Sequence, residues 1–148
     1  MSEQSQARDV GFSELIGLHD LDAVDFITAK AQKWDDGYYD ANAMAFRVDG
    51  KVYVVCEDES DGYRSSMEYL REFSGPVKNV FTPCRVLVRR RTEAEYGGSA
   101  NVLEFLDVTT GKLVLELGTD NDDDYYPSYV ASFHPENMAA NAVAPSQA

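Results

Sequence analysis

The chain has 148 residues, which fits one domain, and its 44% hydrophobic content with 7 Phe, 9 Tyr and 1 Trp supplies a packed core and excludes disorder for the body. It carries 13 basic and 26 acidic side chains, a formal net charge of −13. A bare nucleic-acid backbone or an anionic membrane repels such a protein, whereas a basic partner or a cation is drawn to it.

The start of the chain has no basic segment followed by an apolar one, and no apolar run is long enough to span a bilayer, so a cytoplasmic location is expected. Residues 1–10 are polar and expected to be loose. Residues 11–136 are expected to form the single domain, and residues 137–148, rich in Ala, Asn, Ser and Gln, a second loose end. No repeat or linker divides the body.

Residues 12–18 read as one or two helical turns, with Ser13 as N-cap and Gly17 as stop. Residues 21–31 read as a strand with Val24 and Phe26 on one side, followed by a loop over residues 34–40. Residues 42–56 carry the clearest signal. Asp49-Gly50 between two apolar runs predicts a two-residue hairpin turn, in which both positions need positive φ. That register sets Phe46 opposite Tyr53, Met44 opposite Val55 and Ala45 opposite Val54. Both faces are apolar, so the hairpin should be central and covered.

Residues 65–73 read as a short helix. Ser65 and Glu68 resemble a capping box, Met67, Leu70 and Phe73 share a face, and Gly75-Pro76 ends the run. Residues 84–91 alternate, with Val86 and Val88 on one side and Arg85, Leu87 and Arg89 on the other. Residues 101–108 and 112–117 flank Thr109-Thr110-Gly111 as a second hairpin, with Leu113, Leu115 and Leu117 on one face. Residues 125–133 form a last aromatic strand, with Pro127 at its start or on an edge. The expected fold is α+β, a single domain with a mostly antiparallel β-sheet of five to seven strands and one or two short helices.

Three stretches join carboxylates to tyrosines: Asp35-Asp36-Gly37-Tyr38-Tyr39-Asp40, Glu57-Asp58-Glu59-Ser60-Asp61-Gly62-Tyr63, and Asp120-Asn121-Asp122-Asp123-Asp124-Tyr125-Tyr126-Pro127. They hold 11 of the 26 acidic residues and fall at loops or strand ends. Carboxylates spaced like phosphates can occupy a basic groove as a DNA mimic, and tyrosines add rigid contact area. The candidate partner-binding residues are therefore Asp35, Asp36, Tyr38, Tyr39, Asp58, Asp61, Tyr63, Asp122, Asp123, Asp124, Tyr125 and Tyr126. The competing reading is three solvated turns whose tyrosines half-bury against the sheet.

Metal and catalytic patterns are incomplete. Asp120, Asp122 and Asp124 have the spacing of the first ligands of an EF-hand loop, but Tyr125 stands where its glycine belongs and Ala131 where its glutamate belongs. The two histidines, His19 and His134, and the two cysteines, Cys56 and Cys84, show no ligand spacing. No metal or cofactor is expected. There is no Gly-x-Ser-x-Gly, phosphate-binding glycine loop or Cys/His couple, so an enzyme is not expected either. The alternative is a small-ligand or divalent-metal-binding domain, or an enzyme, using Asp58, Asp61 and Arg64. Arg85, Arg89, Arg90 and Arg91 are half of the eight arginines. With this net charge they read as strand residues paired with Glu93, Glu95 or the acidic stretches, not as a nucleic-acid patch.

Residues 46–67, Phe-Arg-Val-Asp-Gly-Lys-Val-Tyr-Val-Val-Cys-Glu-Asp-Glu-Ser-Asp-Gly-Tyr-Arg-Ser-Ser-Met, and residues 117–127, Leu-Gly-Thr-Asp-Asn-Asp-Asp-Asp-Tyr-Tyr-Pro, resemble small uncharacterised acidic proteins of tailed phages and prophages. The likeness covers about half of the chain and brings no catalytic residue with it. It implies an inhibitor in the host cytoplasm that blocks a host enzyme or defence complex by binding it; taken with the acidic surface, the expected target is a basic site on a nucleic-acid-handling or defence protein, with no direct contact to nucleic acid or membrane.

Overall fold

The computed structural model describes residues 14–32, 37–58, 66–72, 75, 77, 80–93, 99–120 and 128–139. Eight strands follow one another: β1 (Gly17–Gln32), β2 (Tyr38–Val48), β3 (Lys51–Asp58), β4 (Ser66–Glu72), β5 (Val80–Glu93), β6 (Ser99–Asp107), β7 (Leu113–Asp120) and β8 (Ser128–Phe133). They form one sheet in the order β4-β3-β2-β1-β5-β6-β7-β8, and every neighbouring pair is antiparallel. The strands β1 to β4 make one meander and β5 to β8 another, and the β1–β5 pair joins them. After β8 comes a 3₁₀ turn, Pro135–Asn137.

The sheet coils around a single core. Phe46 on β2 stacks on its cross-strand partner Tyr53 and meets Phe105 of β6 edge-on, with centroids 5.8 and 5.7 Å apart. The Tyr129 hydroxyl on β8 donates to the Val55 carbonyl of β3 at 3.5 Å. Leu21, Val24, Met44, Val86, Val88, Leu103, Leu115 and Leu117 fill the space between. The edge strands β4 and β8 approach each other, but among the described residues no backbone ladder joins them. Among the described residues the result is a coiled sheet, not a barrel closed by hydrogen bonds.

The Asp49-Gly50 turn forms as its chemistry demands, with φ of 52° and 84°. Its register matches Phe46 with Tyr53, Met44 with Val55 and Ala45 with Val54. Both faces of β2 are buried from Ala43 to Phe46. Met44, Phe46 and Val48 point into the core, while Ala45 and Ala23 lie under Val77 on the outer face. On β5, Val86 and Val88 are buried and Arg85, Leu87 and Arg89 exposed, as the alternation requires.

Several expectations need correction. Beyond the 3₁₀ turn, the described residues are helical only at Ala139, so the fold is mostly β and not α+β. Residues 66–72, read as a helix, are β4, which pairs with β3 and raises the strand count to eight. Gly17, read as a helix stop, opens β1 with φ of 123°. The Leu113, Leu115, Leu117 face is interrupted by a bulge between Phe105 and Leu106, which puts Val114 in the core beside Leu115 and leaves Leu113 half-buried. Asn137, Met138 and Ala139, placed in the loose tail, belong to the packed body, with Met138 fully buried. No helix among the described residues is long and apolar enough to cross a membrane.

Candidate functional site

Strand direction decides where the three acidic stretches leave the sheet. β1 ends at Gln32 and β3 at Asp58, at the same end, since both are antiparallel to β2 between them. β7 runs opposite to β1, through the antiparallel steps β1–β5, β5–β6 and β6–β7, so it ends at Asp120 at the other end. The strands that lead into the first two stretches thus end together, and the strand leading into the third ends away from them. Tyr38 and Tyr39 are the first two residues of β2, opposite Gln32 and Ala31. Asp58 is the last residue of β3, opposite Ser66. Asp35, Asp36, Asp61, Tyr63, Asp122, Asp123, Asp124, Tyr125 and Tyr126 lie outside the described residues, as do Arg64 and Glu95.

Among the described residues, Tyr38 and Tyr39 sit near the tip of a two-stranded arm. β1 pairs with β5 only from Gly17 to Ala23, yet with β2 as far as Gln32, and β2 pairs with β3 only as far as Ala43. One face of this arm continues the core-facing side of Val24 and Met44 beyond the core, and there Phe26, 53% exposed, stands with exposed Thr28, Asp40 and Asn42. The other face buries Asp25, Ala41 and Ala43. At the base of the arm Asn42 Nδ2 donates to the buried Glu57 Oε1 at 2.9 Å. Burial, with Cys56 and Glu57 nearby, pushes the Tyr129 hydroxyl well above the usual tyrosine range.

The arginine row on the outer face of β5 is held by carboxylates of its own sheet. Arg85 donates to Asp20 at 3.2 Å, and Arg89 and Arg91 take the two oxygens of Glu104 at 3.0 and 3.2 Å. Arg91 also reaches Asp120, the first acid of the third stretch, at 3.3 Å, and Arg90 donates to Asn101 at 2.8 Å. The expected pairing is present, but the sheet partners are Asp20 and Glu104; Glu93 contributes only its carbonyl, to Arg91. Between these charged rows lies an apolar row that sequence reasoning missed. Leu18, Leu87 and Leu106 are successive cross-strand partners on β1, β5 and β6, with Leu18 55% and Leu87 44% exposed. The available signal was Leu87 itself, an apolar residue between Arg85 and Arg89 on a face otherwise charged.

Two further carboxylates hold chain to chain. Asp49 is more than a turn residue: its Oδ2 pairs with His19 Nδ1 at 2.6 Å and its Oδ1 accepts from the Asp20 amide at 2.9 Å. The His19 hydrogen bond and that amide hold the Asp49 carboxyl below the usual carboxylate range. Asp107, 1% exposed, accepts from the amides of Thr109, Thr110 and Ala139 and so ties the β6–β7 turn to the segment after β8. Among the described residues no three His, Cys, Asp or Glu side chains gather in a way that would hold a metal ion. Comparison with known protein families, with curated proteins and with solved structures found no match.

Proposed function

We propose that this chain is a non-catalytic acidic binding protein that docks on a basic surface of a partner protein. The partner is of the nucleic-acid-handling or defence type, blocked by a phage-borne inhibitor that presents carboxylates where the partner expects phosphates. The observation that carries this reading is the use of the cations. Arg47, Arg85, Arg89 and Arg91 are spent on Asp22, Asp20, Glu104 and Asp120 of the same sheet. The acid excess of the chain is therefore left for a partner. The Asp- and Tyr-rich connections flank strand ends, where they are joined to a rigid sheet, and Phe26 adds an apolar contact on the arm.

The test is capture of partners from host lysate at low and high salt, with the wild type beside a variant in which Asp122, Asp123 and Asp124 are all replaced by Asn. A basic partner that is lost at high salt and lost from the variant is expected. Capture that ignores both changes would overturn the reading.

A further inference from the structure

Leu18, Leu87 and Leu106 stand side by side on the outer face of β1, β5 and β6, and Leu113 of β7, the cross-strand partner of Leu106, continues the row. Val108, 48% exposed, extends the apolar surface just past the end of β6. Contiguous apolar surface with a polar rim marks an interaction site. Here the rim is charged but internally matched. Asp20 meets Arg85 at 3.2 Å on one side of the row, and Arg89 meets Glu104 at 3.0 Å on the other. Over β1, β5 and β6 the positions directly beside the leucines thus carry two cations and two carboxylates, on a chain whose net charge is −13.

We infer that this face docks a second copy of the chain, outer face to outer face, about a two-fold axis that runs along the strands between β5 and β6. Charge selects the occupant. The acid excess lies away from this face, so a basic partner is drawn elsewhere. Two copies of an acidic chain meet least repulsion where carboxylates are already matched by arginines. The register makes the face self-complementary. On the two strands beside the axis Leu87 is level with Leu106 and Arg89 is level with Glu104. The rotation lays β5 of each copy on β6 of the other. Leu87 then covers Leu106 of the second copy, Arg89 covers its Glu104, and each contact occurs twice. Leu18 falls over Leu113 of the second copy, and Arg85 over its Val108. At these positions no arginine faces an arginine and no carboxylate a carboxylate. The contact is isologous, the commonest arrangement for dimers. The outer face of a coiled sheet is convex, which confines the contact to these strands, so the dimer is weak and depends on concentration.

The test uses the purified full chain alone, so it does not depend on the partner-binding reading. Sedimentation velocity from micromolar to near-millimolar concentration should show a monomer–dimer equilibrium. Leu87→Lys puts an ammonium group into the apolar row at both contacts and should return the protein to monomer. Arg89→Glu sets a carboxylate against Glu104 of the second copy, and Glu104→Arg sets a guanidinium against its Arg89, so each variant alone should be monomeric. Mixed together, these two variants should dimerise with each other. The first brings carboxylates at both positions and the second brings guanidiniums, so every facing pair is again of opposite sign. All three positions lie outside the hydrophobic core, so the circular dichroism should stay unchanged. If Leu87→Lys alters it, the mixed pair decides. A wild type that is monomeric at every concentration overturns the inference. So does a dimer that survives Leu87→Lys with its circular dichroism intact, and so does a mixture no more associated than the two variants apart.

Discussion

Removal of the Asp107 carboxylate should cost more than any surface substitution in this chain. The side chain is 1% exposed and holds three backbone donors: Thr109 at 2.7 Å and Thr110 at 3.4 Å on one oxygen, Ala139 at 2.8 Å on the other. The 3.4 Å contact contributes little. A buried donor stripped of its acceptor costs about 1–3 kcal/mol, and two well-formed bonds set the scale. Thr109 lies at an exposed turn and can regain water, so its share falls at the low end. Asp107→Ala should therefore lose about 2–4 kcal/mol. Asp107→Asn keeps an acceptor for Thr109 but turns an amide N–H₂ toward the Ala139 amide. It should lose about 1–2 kcal/mol, the low end for one orphaned donor, concentrated at the end of the chain. Urea unfolding of the three proteins gives the totals, and native-state hydrogen exchange at the Ala139 amide locates the loss. An Asp107→Ala variant within 1 kcal/mol of wild type, roughly the scatter of ordinary surface changes, would refute the reasoning. So would an Asp107→Asn variant whose Ala139 amide exchanges no faster.

Gly118 has φ of 145°, and a Cβ there would sit 2.2 Å from the Asn101 carbonyl oxygen and 2.7 Å from the Val102 Cα. Both obstacles are backbone of the paired strand, so Gly118→Ala should cost more than about 3 kcal/mol, above the usual strain of such a φ, read as a fall in melting temperature. The Asp49 carboxyl titrates below its ordinary 3.8 when folded. The stability it lends is thus present above that pH and lost as pH falls through its lower folded value. Asp49→Asn keeps a favourable hairpin turn and loses that dependence, so the stability gap between the two proteins should narrow on acidification below 3.8. Burial raises the Cys84 thiol to about 12, with Asp107 and Asp20 adding to it. Native protein should leave Cys84 unalkylated at mildly alkaline pH, and urea should expose it.

Local chemistry made some of the fold readable. The β2–β3 register follows from Asp49-Gly50, because a two-residue turn leaves only one pairing of the flanking runs. β4 was misread because Ser65, Glu68, Met67 and Leu70 fit a helix over a run too short for period to decide, and pairing with β3 outweighs a cap worth about 1 kcal/mol. The candidate site was legible only as composition. Acids beside tyrosines announce a surface, but which strand ends share an end of the sheet depends on pairings between β1 and β5, residues far apart in the chain.

The amino-acid sequence by itself determined what acts over a few residues: the turns, the alternation of β5, the covered hairpin and the net charge of −13. Only the tertiary structure decided what depends on distant partners. It paired β1 with β5, spent the β5 arginines on Asp20, Glu104 and Asp120, and, among the described residues, carried the β1–β2 pair beyond the strands beside it. The physical reason is that a strand satisfies its backbone and buries its side chains only through other strands, so its edges and neighbours are set by the whole sheet.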